Sequence, residues 1–450
     1  MNWVKRVVMS AVCFLFWGFA SFAQDMFSIA TTEFPIATTE NSEFCLSGTF
    51  DGTNFLVVIV EETGGKTTLT AQMLSQSGTL VGNKIIIPES NPTDIRTLVA
   101  FDGTNYFIVW TERNGLKGQF IDKSGTPVGS IVSISSDIES IGHIGFGGGK
   151  YLVVYNKEVP YEGESEKRSV FGRTITPSGE VGSEFRINTT GYGKEYGGIG
   201  NLAFDGTNFL VVWTEDTYDS EIRAALVSPD GEVRKNFSID SNSLRSDNPC
   251  AVAFDGTNYL VVWPDEIEIR EVDGCLLSQW FLFGQLFDTE GNAQSGIISI
   301  SAVSSPCNIV APSAIFDGTN YLITWNRCNE ETGWDIIGRF VSKDGNPLGS
   351  EIAIDNDQEN QMGGAVKFIN GQYLVLVNNN FSYTQDVEEL VFTSGGDVYG
   401  VFKTIKTKTV GNINGDEGID ISDVILVLRM ALGLPITING QTYNYPYNGL

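Results

Sequence analysis

Six oxygen-bearing positions near the C-terminus have the spacing that calcium chemistry needs. In NINGDEGIDISD, Asn412, Asn414 and Asp416 stand at positions one, three and five of a loop, the carbonyl of Gly418 at seven, Asp420 at nine and Asp423 at twelve. Calcium takes roughly six to eight oxygen ligands, and a loop that wraps the ion presents them at alternate residues. The apolar run 424–432 reads as a helix leaving that loop, ended by Gly433 and Pro435. Asn412 brings no charge to the ion, and Glu417 occupies the turn position where glycine is usual, with Gly418 displaced by one.

Elsewhere the residue types restrict the chemistry. His143 is the single histidine, which argues against His-dependent triads and multi-His metal centres and leaves a structural role as its expected reading. Among 55 acidic residues a carboxylate pair for glycoside hydrolysis is available, but no spacing selects one, so no catalytic residue is assigned. Trp110, Trp213, Trp263 and Trp325 share one repeat position, with Glu112, Glu215 and Asp265 two residues beyond the first three. Sugar stacking is one reading of these tryptophans. Packing is the expected one, because the position closes a strand that is apolar on both faces. Cys250 with Cys275, and Cys307 with Cys328, occupy matching places in two successive repeats and are expected to pair, leaving Cys45 over.

The elements that must position these residues follow from a repeat. FDGTNYFIVW at Phe101 returns as FDGTNFLVVW at Phe204, FDGTNYLVVW at Phe254 and FDGTNYLITW at Phe316, with degenerate copies at Phe50, Phe146 and Phe368. Each copy holds a short apolar strand ending at the Phe, an Asp-Gly-Thr-Asn turn, a strand apolar on both faces, a third strand such as GQFID or GRFVS, and a fourth such as SEIAI. Four-stranded meanders covered on both faces and repeated about every fifty residues predict a β-propeller. After the seventh copy comes a third strand, GDVYGVFKTI, and no fourth. FPIATTE at Phe34 resembles FRINTTG at Phe185, so the N-terminal segment near 34–39 is expected to complete the last blade.

The expected organisation is a signal peptide over 1–23, a seven-bladed propeller over 24–406, a linker over 407–411, the calcium loop and helix over 412–436 and a tail over 437–450. Lys5 and Arg6 precede an apolar run shorter than a membrane span, followed by a small-x-small cleavage site ending at Ala23. Secretion or display at the cell surface follows, with no membrane insertion after cleavage. The net charge of -27 makes nucleic acid a poor partner. Turns between first and second strands are short and uniform, and so are those between third and fourth. The unlike connections of the opposite face, which include TTGYGKEYGGIGN and PDEIEIREVDGCLLSQW, are where recognition of a glycan or protein is expected.

The architecture resembles WD40- and Kelch-type propellers, although the WD signature is absent, and the repeat resembles those of exported bacterial proteins. The sialidase Asp-box is not matched. The C-terminal module resembles one half of a type I dockerin, in Asp423 at position twelve, Ile419 at position eight and Arg429 on the following helix. That resemblance implies Ca2+ and a cohesin-like or cell-surface partner. Dockerins usually carry two such loops, so the module is either a degenerate half or the front of a truncated pair. The leading functional reading is an exported non-catalytic binding or scaffold protein. The alternatives are a dockerin-bearing polysaccharide-acting glycoside hydrolase and a structural surface-layer component.

Overall fold

The computed structural model describes residues 27–39, 42–88, 90–93, 96–113, 115–136, 138, 140–159, 167–188, 199–215, 221–239, 250–272, 275–301, 309–329, 333–355, 361–369, 371–379, 382–386, 389–394, 397–407, 436–438 and 441–443. It contains seven four-stranded antiparallel sheets, the blades of a β-propeller. Blade 2 shows the pattern: an inner strand Thr97–Phe101, a second strand Asn105–Glu112, a third Gly115–Asp122 and an outer strand Pro127–Ser135. The inner strands of blades 1 to 7 are Ser42–Phe50, Thr97–Phe101, Ser140–Gly147, Ile199–Phe204, Ala251–Phe254, Ile309–Phe316 and Gln361–Ile369. Each touches the inner strand before and after it, and the seventh touches the first, so they close a ring around a central axis.

The second strands form the core because both of their faces are covered. In Asn105–Glu112 every residue from Tyr106 to Thr111 is buried, and in Lys150–Val159 the run from Tyr151 to Asn156 is buried. A strand in the middle of a blade packs one face on the preceding blade and the other on the following one, which is why no polar alternation appears in YLVVW.

Ring closure uses the N-terminus. Blade 7 takes its inner and second strands from Gln361–Ile369 and Gln372–Asn379, its third from Asp397–Thr407 and its outer strand from Phe27–Ala37. The closing strand thus begins earlier than the expected 34–39 while including Phe34. A Cβ on Gly400 of the third strand would overlap the Phe34 ring, as one on Gly172 would meet the Phe185 ring at 2.8 Å in blade 3. The same rings cover the turn glycine of the following blade, Phe34 on Gly78 and Phe185 on Gly231. The last blade is therefore completed by side chains equivalent to those of an ordinary one.

The chain divides into two compact units, 31–403 and the two terminal stretches 1–30 with 404–450. Within the terminal unit, Ile436–Ile438 pairs with Gln441–Tyr443 in a short hairpin. The signal segment 1–23 and the expected calcium loop and helix lie outside the described residues. Among the described residues no helix is long and apolar enough to cross a membrane.

Candidate functional site

Atom by atom, the recurring motif is occupied with holding the ring. In all five Asp-Gly-Thr-Asn turns the Asp Oδ1 accepts the backbone N–H groups of the Thr and Asn that follow, at 2.6–2.7 Å. The Asp N–H donates to the Asn carbonyl to close the hairpin. The glycine sits at φ between 90° and 100°, a region that costs a residue with a Cβ strain and costs glycine little. The anchoring Phe packs in a tilted contact on the first aromatic of its own second strand in every blade, with centroids 4.7–5.2 Å apart.

That first aromatic also ties blade to blade. Tyr151 donates to the Asn105 carbonyl of the preceding turn at 3.2 Å, Tyr259 to Asn208 at 3.3 Å and Tyr321 to Asn258 at 3.2 Å, while Tyr373 donates to the Asp317 carboxylate. Burial first, and the carboxylate of the preceding turn second, hold the Tyr151, Tyr259 and Tyr321 hydroxyls protonated far above the ordinary tyrosine range. These hydroxyls are therefore structural donors and not reactive groups. The recurrence of Tyr five residues after the anchor was a visible signal, but the partner it reaches lies about fifty residues away and is set by blade packing.

Trp110, Trp213, Trp263 and Trp325 are all buried, so the packing reading holds and sugar stacking on them is excluded. The Trp110 indole donates to Glu112 Oε1 at 2.8 Å, so the acid two residues on satisfies the ring nitrogen. Blade 3 has Tyr155 in the corresponding place. Its hydroxyl donates to Glu184 Oε1 at 2.8 Å, and Lys157 reaches Glu184 Oε2 at 3.1 Å. Burial opposes ionisation of Glu184, but the bonds from Tyr155 and Lys157 hold its pKa below the usual carboxylate range, while burial pushes the Tyr155 phenol up to about 12. A fully buried phenol beside a paired carboxylate is a packing device between blades 2 and 3.

The cysteines correct one expectation. Cys250 is a free, buried thiol, not the partner of Cys275. The reason is the second-to-third connection of blade 5, expected as a loop. It is a continued hairpin in which Asn258–Val272 pairs with Cys275–Asp288 as far as Val272 opposite Cys275. Cys250 immediately precedes Ala251, which pairs with Val262. Ten residues of strand, about 33 Å, separate Val262 from Val272, far beyond disulfide reach. Cys328 is disulfide-bonded, and its expected partner Cys307 lies outside the described residues. Burial pushes the Cys45 and Cys250 thiols up to about 12, so neither is poised as a nucleophile.

His143 lies on the inner strand of blade 3, at an irregularity in its pairing with the second strand. Asn412, Asn414, Asp416, Gly418, Asp420 and Asp423 all fall outside the described residues. Among the described residues no group of three or more His, Cys, Asp or Glu is placed to hold a metal ion.

What distinguishes one face of the ring is backbone. On the side of the second-to-third connections, blade 5 carries its extended hairpin, and blade 7 inserts a further one, Ser382–Asp386 paired with Glu389–Ser394. The other unlike connections of that side, including 160–166, 189–198 and 240–249, lie outside the described residues. The opposite side carries the uniform turns.

No protein family model matches the chain, and a comparison with curated proteins returns no match. The structure is similar to the β-propeller domain of the Trilobed protease from Pyrococcus furiosus, at 11% identity over 82% of this chain and 99% of that one, with a TM-score of 0.46. It is similar to the polysaccharide lyase Uly1, at 9% identity over 80% of this chain and 90% of that one, with a TM-score of 0.48. It is also similar to the acylaminoacyl peptidase of Pyrococcus horikoshii, at 10% identity over 87% of this chain and 54% of that one, with a TM-score of 0.46. These likenesses concern the fold alone.

Proposed function

We propose that this chain is an exported, non-catalytic binding or scaffold protein, with the propeller face of the second-to-third connections as its recognition surface and the dockerin-like end as its attachment. The observation that carries this reading is the division of labour around the ring. Repeat residues that could have done chemistry are consumed by turns, buried packing and blade contacts, while blades 5 and 7 add ribbons of unlike sequence on one face. Propellers use such loops on a rigid ring for recognition. A glycan or an exported protein is the class of partner that suits this surface.

At the C-terminal end, the ligand series Asn412, Asn414, Asp416, Gly418, Asp420 and Asp423 supports calcium binding, and a cohesin-like or cell-surface partner follows from the dockerin resemblance. Calcium titration of the whole protein by calorimetry tests this end. The reading expects one site at submillimolar affinity, weakened at least tenfold in Asp416→Ala, and heat absent below millimolar calcium would sink it. The ring is tested separately, by a glycan array and hydrolysis assay on the same protein. Retention without cleavage is the expected result, and turnover of any polysaccharide would replace this reading by the hydrolase.

A further inference from the structure

Toward the recognition face of a blade, the residue seven before the anchoring Phe stands directly opposite the residue eleven after it. Blade 1 places Glu43 opposite Glu61 there, blade 6 Ile309 opposite Arg327, and blade 7 Gln361 opposite Asn379. The polar members of the first two pairs are satisfied within the chain. Glu43 accepts the N–H and the hydroxyl of Thr39, Glu61 accepts the Thr70 hydroxyl and the Lys84 ammonium, and Arg327 is paired with Glu351. In blade 7 the outcome differs. Gln361 is 0% exposed and Asn379 8%, yet Gln361 Oε1 and Nε2 and Asn379 Oδ1 have no hydrogen-bond partner in the chain.

Pairing through Gln361, Met362 and Gly363 is regular, so Gln361 points to the same side of its blade as Gly363. A Cβ on Gly363 would meet Ile336 of blade 6 at 3.1 Å, which puts both amides in the crevice between blades 6 and 7. Asn379 ends its second strand, and the inserted hairpin begins three residues later at Ser382, so the pair lies at the foot of that ribbon. Asn379 Nδ2 donates to Oε1 of the exposed Glu33 at 3.4 Å, which sets the pair one side chain below solvent. A surface glutamate turns aside within nanoseconds.

Buried amide atoms without partners are costly, and a native structure keeps them where something other than the chain completes them. The three open atoms call for groups that donate and accept at once. One hydroxyl can accept from Gln361 Nε2 and donate to Asn379 Oδ1, while a neighbouring hydroxyl donates to Gln361 Oε1. A cation would leave the Nε2 donor unmade, and an anion would leave both oxygens unmade. We propose that Gln361 and Asn379 form a saccharide subsite of the recognition face, which takes two neighbouring hydroxyl groups of a neutral sugar. This subsite rests on the reading of that face as a binding surface and names its ligand class. A neutral sugar fits also because the net charge of -27 repels acidic ones.

The test is surface plasmon resonance on the immobilised whole protein, titrated with cellobiose, maltose, lactose, xylobiose and mannobiose in turn. The expected result is saturable binding of at least one disaccharide, with a dissociation constant on the order of 1 mM. Affinity should fall tenfold or more in both Gln361→Met and Asn379→Leu, which remove the open atoms at similar volume. It should stay within about twofold in Thr104→Val, on an exposed turn of the opposite face. Wild-type affinity in either amide variant overturns the subsite and leaves water as the partner of the amides. Binding of no disaccharide by the parent overturns it too, while the recognition reading, which admits a protein partner, falls only to turnover of a polysaccharide. Cleavage of a sugar whose binding is lost in both variants would uphold the subsite and end the non-catalytic reading. Should Gln361→Met not fold, Gln361→Asn takes its place.

Discussion

Single side chains couple each blade to the one before it. The hydroxyl of Tyr259 reaches a carbonyl of the preceding turn, whereas Phe209, at the same repeat position of blade 4, packs its ring with no such bond. Tyr259→Phe should therefore leave the fold intact and lower stability by about 1 kcal/mol, the usual net worth of a hydrogen bond, read as a shift of the urea midpoint at unchanged slope. A variant as stable as the parent would mean that the hydroxyl is satisfied equally well by water. That each repeat aromatic is buried could be read from YLVVW. That its oxygen serves the neighbouring blade could not, because the acceptor belongs to another repeat. The same holds for Asn378, whose amide brackets the Cys45 backbone with bonds of 2.8 and 2.9 Å from blade 7 to blade 1.

Within a blade, the third strand owes its glycine to the strands beside it. A Cβ on Gly118 would overlap the ring of Phe107, which is fully buried, while one on Gly338 would meet the tip of Ile354 at 2.8 Å. An isoleucine tip turns aside more readily than an enclosed ring. Gly118→Ala should accordingly cost about 2–3 kcal/mol and Gly338→Ala about 1, with the order as the decisive result of paired denaturation curves. Equal costs would show that the blade relaxes as a unit and that the ring is not the obstacle. Strand boundaries were legible in the sequence because turn residues punctuate them. The extended hairpin of blade 5 was legible too, in the Asp273-Gly274 dipeptide between EIEIREV and CLLSQW, but the connection is expected as a loop because the other blades turn sooner.

The whole ring depends on a strand taken from the other end of the chain. Phe34 lies over Gly400 and Gly78 as Phe185 lies over Gly172 and Gly231, so the closing blade is held by contacts of ordinary kind. Phe34→Ala and Phe185→Ala should cost similar amounts, about 2–3 kcal/mol each for partly buried rings, measured by hydrogen exchange of their own blades. A silent Phe34→Ala beside a damaging Phe185→Ala would mean that blade 7 stands without its outer strand.

The amino-acid sequence by itself determined the number of blades, the strands within them and the closure. Those features repeat, and they rest on local rules of turn chemistry and two-sided burial that act within about fifty residues. The tertiary structure alone decided that Cys250 stays a thiol and that a tyrosine hydroxyl finds the preceding turn. Each of these depends on which distant strands the closed ring brings together, and no local period encodes that.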